Sequence, residues 1–124
     1  MQSEQRALLC AAKALDKKAF NVRVLDVRNL SSLTDFLVLA SGGSDRQVQA
    51  AAESVHLGLK KEHDTMPLGI EGMREGRWVL IDYGDVMVQI FHEPVREFYD
   101  LDGLWAEAKE IEIPESDKAS QRPA

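Results

Sequence analysis

The sequence predicts an α/β domain, a mixed sheet of about five strands flanked by helices. Three observations carry that prediction. Two β-rich runs, 77–83 and 86–93, flank the pair Gly84-Asp85, the mark of a hairpin closed by a two-residue loop. Asp35-Phe-Leu-Val-Leu-Ala-Ser41 is a continuous apolar run of strand length, as found in strands covered on both faces. The stretches 3–19 and 45–61 repeat apolar residues at helical spacing.

Taken in order, residues 3–19 form the first helix, with an apolar stripe of Ala7, Leu8, Ala11, Ala12, Leu15 and Ala19 and lysines near its C-terminal end. Val22–Val27 is a short strand, residues 29–34 are turn formers, and 35–41 is the second strand. Gly42-Gly43-Ser44 leads into a helix over 45–61, where Ser44 and Gln47 have capping-box spacing. Val48, Ala51, Ala52, Val55 and Leu59 share one stripe of that helix. Strand, helix, strand implies a crossover and one parallel pair. Residues 67–72 form a short third strand or an extended loop, and the hairpin supplies strands four and five. Pro94 ends the fifth strand ahead of a helical turn through Arg96, Phe98 and Tyr99. Asp102 is predicted to cap a last helix through Leu104, Trp105, Ala108 and Ile111. Residues 1–112 make the domain; 113–124 form a polar, acidic tail with nothing to bury, predicted to be disordered.

The hairpin fixes its own register. If Gly84-Asp85 is the loop, Tyr83 faces Val86, Ile81 pairs with Val88, and Val79 with Ile90, so one face is wholly apolar. The other face carries Trp78 with Phe91, Leu80 with Gln89, and Asp82 with Met87. Aromatic and methionine anchors beside a few polar groups suit a partner surface. The alternative is that a helix covers this second face.

A chain of 124 residues is long enough, as one domain, to bury roughly two-thirds of its unfolded surface. Its net charge of −6 argues against a protein that grips nucleic acid mainly through phosphates, and suits a basic protein partner or simply solubility. The single cysteine, Cys10, has no partner for an internal disulfide and reads as a small buried residue. The sequence shows neither an apolar signal segment nor a run approaching the ~20 apolar residues of a membrane span, so a cytosolic location is expected.

No catalytic pattern is complete. Gly42-Gly43-Ser44 lacks the lysine of a phosphate loop and the third glycine of a dinucleotide fingerprint, and a glycine turn with an N-cap accounts for it. Nucleotidyl transfer needs two carboxylates one residue apart on a strand to clamp Mg²⁺. Asp82 and Asp85 straddle a turn, while Asp100 and Asp102 have the spacing but not the strand, so these read as turn and cap residues. His56 and His63 lie two helical turns apart, about 10 Å, too far to share a metal, and His92 stands at a strand end. No metal or cofactor is expected.

Together these residues resemble the ribosomal silencing factor, or Iojap-like, family. The blocks are Leu25-Asp-Val27, Thr34-Asp-Phe-Leu-Val38, Ser44-Asp-Arg-Gln-Val48, Glu71-Gly72, Trp78-Val-Leu-Ile-Asp-Tyr-Gly-Asp-Val86, Val88-Gln-Ile-Phe91 and Arg96-Glu-Phe-Tyr-Asp-Leu-Asp-Gly-Leu-Trp105. They span the chain from about Leu15 to Ile111. This sequence departs in having Gln89 where the family usually has His, Asp102 where it has Glu, and Gly103 where a longer side chain is usual. The resemblance implies a fold similar to a nucleotidyltransferase core without its active site, and a function without catalysis. It implies binding to the large ribosomal subunit through ribosomal protein fourteen, with minor contacts to ribosomal RNA. Such binding blocks small-subunit joining and represses translation when nutrients are scarce. A homodimer in the free state is implied as well. On this reading Trp78, Leu80 and Met87 are the apolar anchors, and Asp82 and Gln89 orient the partner. Tyr99, Leu101 and Trp105 line the rim or pack beneath it. The rival classes are a degenerate nucleotidyltransferase-type enzyme and a homodimeric module that binds no ribosome.

Overall fold

The computed structural model describes residues 1–118. Helix α1 (Ser3–Leu15) is followed by strands β1 (Phe20–Asp26) and β2 (Phe36–Gly42), helix α2 (Asp45–His63), and strands β3 (Gly69–Glu71), β4 (Trp78–Asp82) and β5 (Val86–His92). Then come a short helix α3 (Glu93–Phe98), a 3-10 turn (Gly103–Trp105), strand β6 (Lys109–Ile111) and a helical turn α4 (Glu115–Lys118). The strands form one mixed sheet in the order β3-β4-β5-β2-β1-β6. Only β2 and β5 run parallel; the other neighbours are antiparallel. The crossover therefore closes on β5 rather than β3, because β3 and β4 pair outward as an antiparallel ribbon.

Both helices α1 and α2 cover one face of the sheet. Beneath them lie Val24, Val38, Val79, Ile81, Val88 and Ile90, the wholly apolar hairpin face with its counterparts from β1 and β2. All seven residues of β2 are buried, as its unbroken apolar run requires. On the opposite face Leu25, Val27, Leu37, Leu39 and Phe91 form a smaller core with Leu101, against which Trp105 and Ala108 pack.

Helix α1 ends at Leu15, four residues earlier than the periodicity suggests. Lys18 takes a left-handed φ of 66°, and the bonds Lys18 N–H to Leu15 O (3.0 Å) and Ala19 N–H to Ala14 O (3.2 Å) close the helix in a Schellman arrangement. Its buried stripe is Ala7, Cys10, Ala11, Ala14 and Leu15, so Leu8 and Ala12 flank the core rather than fill it. Helix α2 starts as expected, the Ser44 hydroxyl accepting from the Gln47 amide at 3.2 Å. The Gln47 side chain reaches the Gly43 amide (2.8 Å) instead of that of Ser44. Gly42 is required here, since a Cβ would stand 2.8 Å from the Val48 side chain.

The last helix is replaced by a 3-10 turn and a sixth strand. Residues 104–111 contain good helix formers, but β1 offers an unpaired edge, and Val24, Leu25 and Asp26 pair with Ile111, Glu110 and Lys109. Asp102 caps nothing, because Arg96 takes its carboxylate. The tail expected from residue 113 onward starts with order: Ile113 is buried in the main core and α4 packs beside α1. The remainder of that expectation, residues 119–124, lies outside the described residues.

Candidate docking surface

The hairpin forms in the register its sequence dictates. Tyr83 N–H bonds to Val86 O at 2.9 Å, and Trp78 faces Phe91, Leu80 faces Gln89 and Asp82 faces Met87. Gly84 supplies the turn with φ 88°, a conformation L side chains rarely adopt. Because strand side chains alternate, burying Val79 and Ile81 under the helices turns Trp78, Leu80 and Asp82 to the other face. Across the sheet this gives the rows Trp78–Phe91–Ser41, Glu71–Leu80–Gln89–Leu39 and Gly69–Asp82–Met87–Leu37.

The covering segment shields only part of this face. Leu101, 7 % exposed, sits over the β1 and β2 residues, whereas Leu80, Asp82, Met87 and Gln89 remain half-buried. Trp78 stands at the boundary, 39 % exposed, its ring tilted against Phe91 at 5.2 Å and against Tyr99 at 6.1 Å. Its indole N–H donates to Gln89 Oε1 at 3.1 Å. Phe98, 80 % exposed, meets Tyr99 edge-on at 4.9 Å, and Tyr99 is itself 58 % exposed. Four aromatic rings thus run from the core to the surface. Met87 packs on the second core, and Asp82 Oδ1 accepts from the Gly84 amide at 2.8 Å.

Arg96 holds the aromatic turn in place. Only 4 % exposed, it donates to both carboxylate oxygens of Asp102 (2.9 and 3.2 Å), to Ser41 Oγ and to the Asn21 carbonyl (both 2.8 Å). Burial pushes the Asp102 carboxyl up, but the hydrogen bonds and charge of Arg96, with those of Arg23, outweigh it and hold the group below its usual range. Asp100 adopts φ 46° as the chain reverses within this turn.

Six of the eight residues expected at the surface line it or its rim: Trp78, Leu80, Asp82, Met87, Gln89 and Tyr99. Leu101 lies in the core beneath. Trp105 is half-buried, packed on that core at one side of a recess of about 390 Å³ shared with Leu30 and Leu104. Phe98 and the leucines Leu30, Leu33 and Leu104 are further exposed large apolar residues that sequence reasoning did not single out. The available signal was their setting, large apolar residues in turns too short to bury them.

The other candidates read as structural. The Gly43 and Gln47 amides at the start of α2 are already bonded within the chain, so they are not offered to an anion. Asp85 turns away from Asp82 toward α1, accepting from Ser3 Oγ at 2.8 Å and pairing with Arg6. His56 and His63 belong to α2, and His92 Nδ1 lies 3.5 Å from Asp45 Oδ1. Among the described residues no group of three or more His, Cys, Asp or Glu is placed to hold a metal ion, and no helix is long and apolar enough to cross a membrane. Cys10 is buried, and burial pushes its thiol up to about 12.

Known proteins match this chain over most of its length. The family described as ribosomal silencing factor during starvation, RsfS, matches residues 1–124. The chain is 38 % identical over 112 residues to the ribosomal silencing factor RsfS of Halalkalibacterium halodurans, covering 90 % of this chain and 95 % of that protein. It is 38 % identical over 100 residues to RsfS of Bacillus subtilis, covering 81 % and 84 %. A crystal structure of a Chromobacterium violaceum protein superposes with a TM-score of 0.82 at 37 % identity, covering 86 % of this chain and 88 % of that one. The chain belongs to the ribosomal silencing factor family.

Proposed function

We propose that this protein docks on the large ribosomal subunit through ribosomal protein fourteen, using the Trp78-centred open face, and so keeps the small subunit from joining. Repression of translation under nutrient limitation follows from occupancy alone, with no covalent step and no cofactor. The observation that carries this reading is the half-exposed indole of Trp78, set among Tyr99, Phe98, Leu80 and Met87 on the part of this sheet face that the chain's own covering segment leaves open. Exposed aromatic anchors ringed by polar groups are the usual centre of a binding energy hot spot. Asp82 and the exposed Glu71 give the face an acidic margin that suits a basic ribosomal protein. Ribosomal RNA supplies minor contacts at the edge, and the protein acts in the cytoplasm.

The test is sedimentation with isolated large subunits, wild type beside Trp78→Ala, followed by a subunit-joining assay. Co-sedimentation and inhibition of joining by wild type, both lost in the variant, are the expected outcome. Wild-type binding that the variant leaves untouched would remove this face from the function. A second reading is favoured by the same exposed aromatics: in the free state a second copy covers the face. Analytical ultracentrifugation would then show a dimer that large subunits dissociate.

A further inference from the structure

The chain's sulfur atoms are placed in opposite ways. Its thiol, Cys10, is sealed in the main core between α1 and the sheet. Met87 instead lies half-buried on the open face, within the row between Asp82 on β4 and Leu37 on β2. The remaining methionines stand apart from that face. Met1 and Met66 are exposed on the chain start and the α2–β3 connection, and Met73 packs on the other core.

We infer that Met87 is an oxidation site through which a hydroperoxide releases this protein from its docking partner. The inference rests on the docking role proposed for this face. A hydroperoxide transfers one oxygen to the thioether: the S–O bond forms as the O–O bond breaks, the sulfur gives up two electrons, and hydrogen peroxide leaves as water. The product replaces a flexible apolar anchor with a strong acceptor. Its cross-strand neighbour on this face is the Asp82 carboxylate, itself only an acceptor, and the other is the aliphatic Leu37, so neither can donate to the new oxygen. In the free protein water satisfies that oxygen. Docking strips that water away and sets a strongly polar oxygen where an apolar anchor packed, which weakens binding by about ten- to a hundredfold. Reduction of the sulfoxide by a dithiol-dependent reductase restores the thioether, so the effect is reversible.

The experiment uses the full chain, hydrogen peroxide as oxidant, and binding to isolated large subunits as readout. Wild type, Met87→Leu and Met66→Leu are treated in parallel, with mass spectrometry locating each added oxygen and near-ultraviolet circular dichroism confirming retained packing. Wild type and Met66→Leu are expected to lose affinity in proportion to Met87 sulfoxide and to regain it with methionine sulfoxide reductase. Met87→Leu is compared only with its own untreated affinity, and treatment is expected to leave that value unchanged. Equal sensitivity of Met87→Leu, Met87 sulfoxide with unchanged affinity, resistance of Met87 where Met66 is fully oxidised, or loss of packing on oxidation each overturns the inference. Untreated wild type that fails to bind large subunits removes the docking role and this inference with it. Tight binding that ignores Met87 oxidation removes the inference alone.

Discussion

The indole N–H of Trp78 donates to the side-chain carbonyl of Gln89, 3.1 Å away on the neighbouring strand, and this bond sets the ring across the open face. Trp78 faces Phe91 in the ladder, so the bond runs diagonally, to the residue two positions along the neighbouring strand. It pre-orients an exposed aromatic that would otherwise lose rotamer freedom on binding.

Trp78→Ala should therefore weaken docking by ~2–4 kcal/mol, about 30- to 1,000-fold. The indole is partly exposed, so the variant should stay folded, with a modest fall in its urea midpoint. Titration against large subunits, beside a chemical denaturation curve, checks both. A change under twofold in affinity takes Trp78 out of the interface.

Gln89→His should make docking depend on pH, whereas wild-type docking through this pair should not. Neutral imidazole can accept the indole proton; the imidazolium, with both nitrogens protonated, cannot. Affinity of the variant should fall as pH drops through about 6.5, the ordinary histidine value. Binding measured from pH 8 to 5.5 on both proteins tests this, and parallel curves would show that the acceptor is dispensable.

Asp82→Asn should cost less affinity than Asp82→Arg. An asparagine keeps an oxygen for the Gly84 amide and so keeps the turn, while arginine both loses that bond and repels a basic partner. Equal losses would mean that the side chain serves the turn alone.

Asp102→Asn should destabilise the fold by ~1–2 kcal/mol near neutral pH, since buried Arg96 loses its charged partner while Asp102 itself is partly exposed to screening solvent. The folded-state pKa of Asp102 is depressed, so its contribution is fully present above the unfolded value of about 3.9 and is lost as pH falls through the lower folded value. Urea curves of wild type and variant should differ at pH 7 and converge only once pH has fallen below the depressed folded-state value of Asp102. A difference that persists there would assign the effect to shape rather than charge.

Gly72→Ala should displace Trp78 without touching any partner. Gly72 has φ 82°, and a Cβ would lie 2.1 Å from the Trp78 carbonyl oxygen, so the start of β4 must move. Loss of stability of roughly 1–3 kcal/mol should accompany weaker docking, read by thermal unfolding and by the same titration.

The hairpin was legible residue by residue, because Gly84-Asp85 fixes the turn and a period of two then fixes every facing pair. Helix α2 was equally plain from its cap and its stripe. Residues 102–113 were not. Their helix formers promise a helix, and only the free edge of β1 converts Lys109–Ile111 into a strand. The same holds for Leu101, Tyr99 and Phe98, neighbours in a turn whose exposures differ widely. The short turn has no period from which to read a face, and its ends are tied by the Arg96–Asp102 pair, a contact between side chains six residues apart.

The amino-acid order by itself determined the class of fold, the wholly apolar hairpin face, and the set Trp78, Leu80, Asp82, Met87 and Gln89 opposite it, because alternation along a strand is a local property. Whether that second set meets water or a helix was decided by tertiary structure. Residues 93–108 pass over β1, β2 and the end of β5 and reach β4 at Trp78, through Tyr99, and a covering segment's path depends on distant contacts, among them those of Arg96 with Asn21 and Ser41.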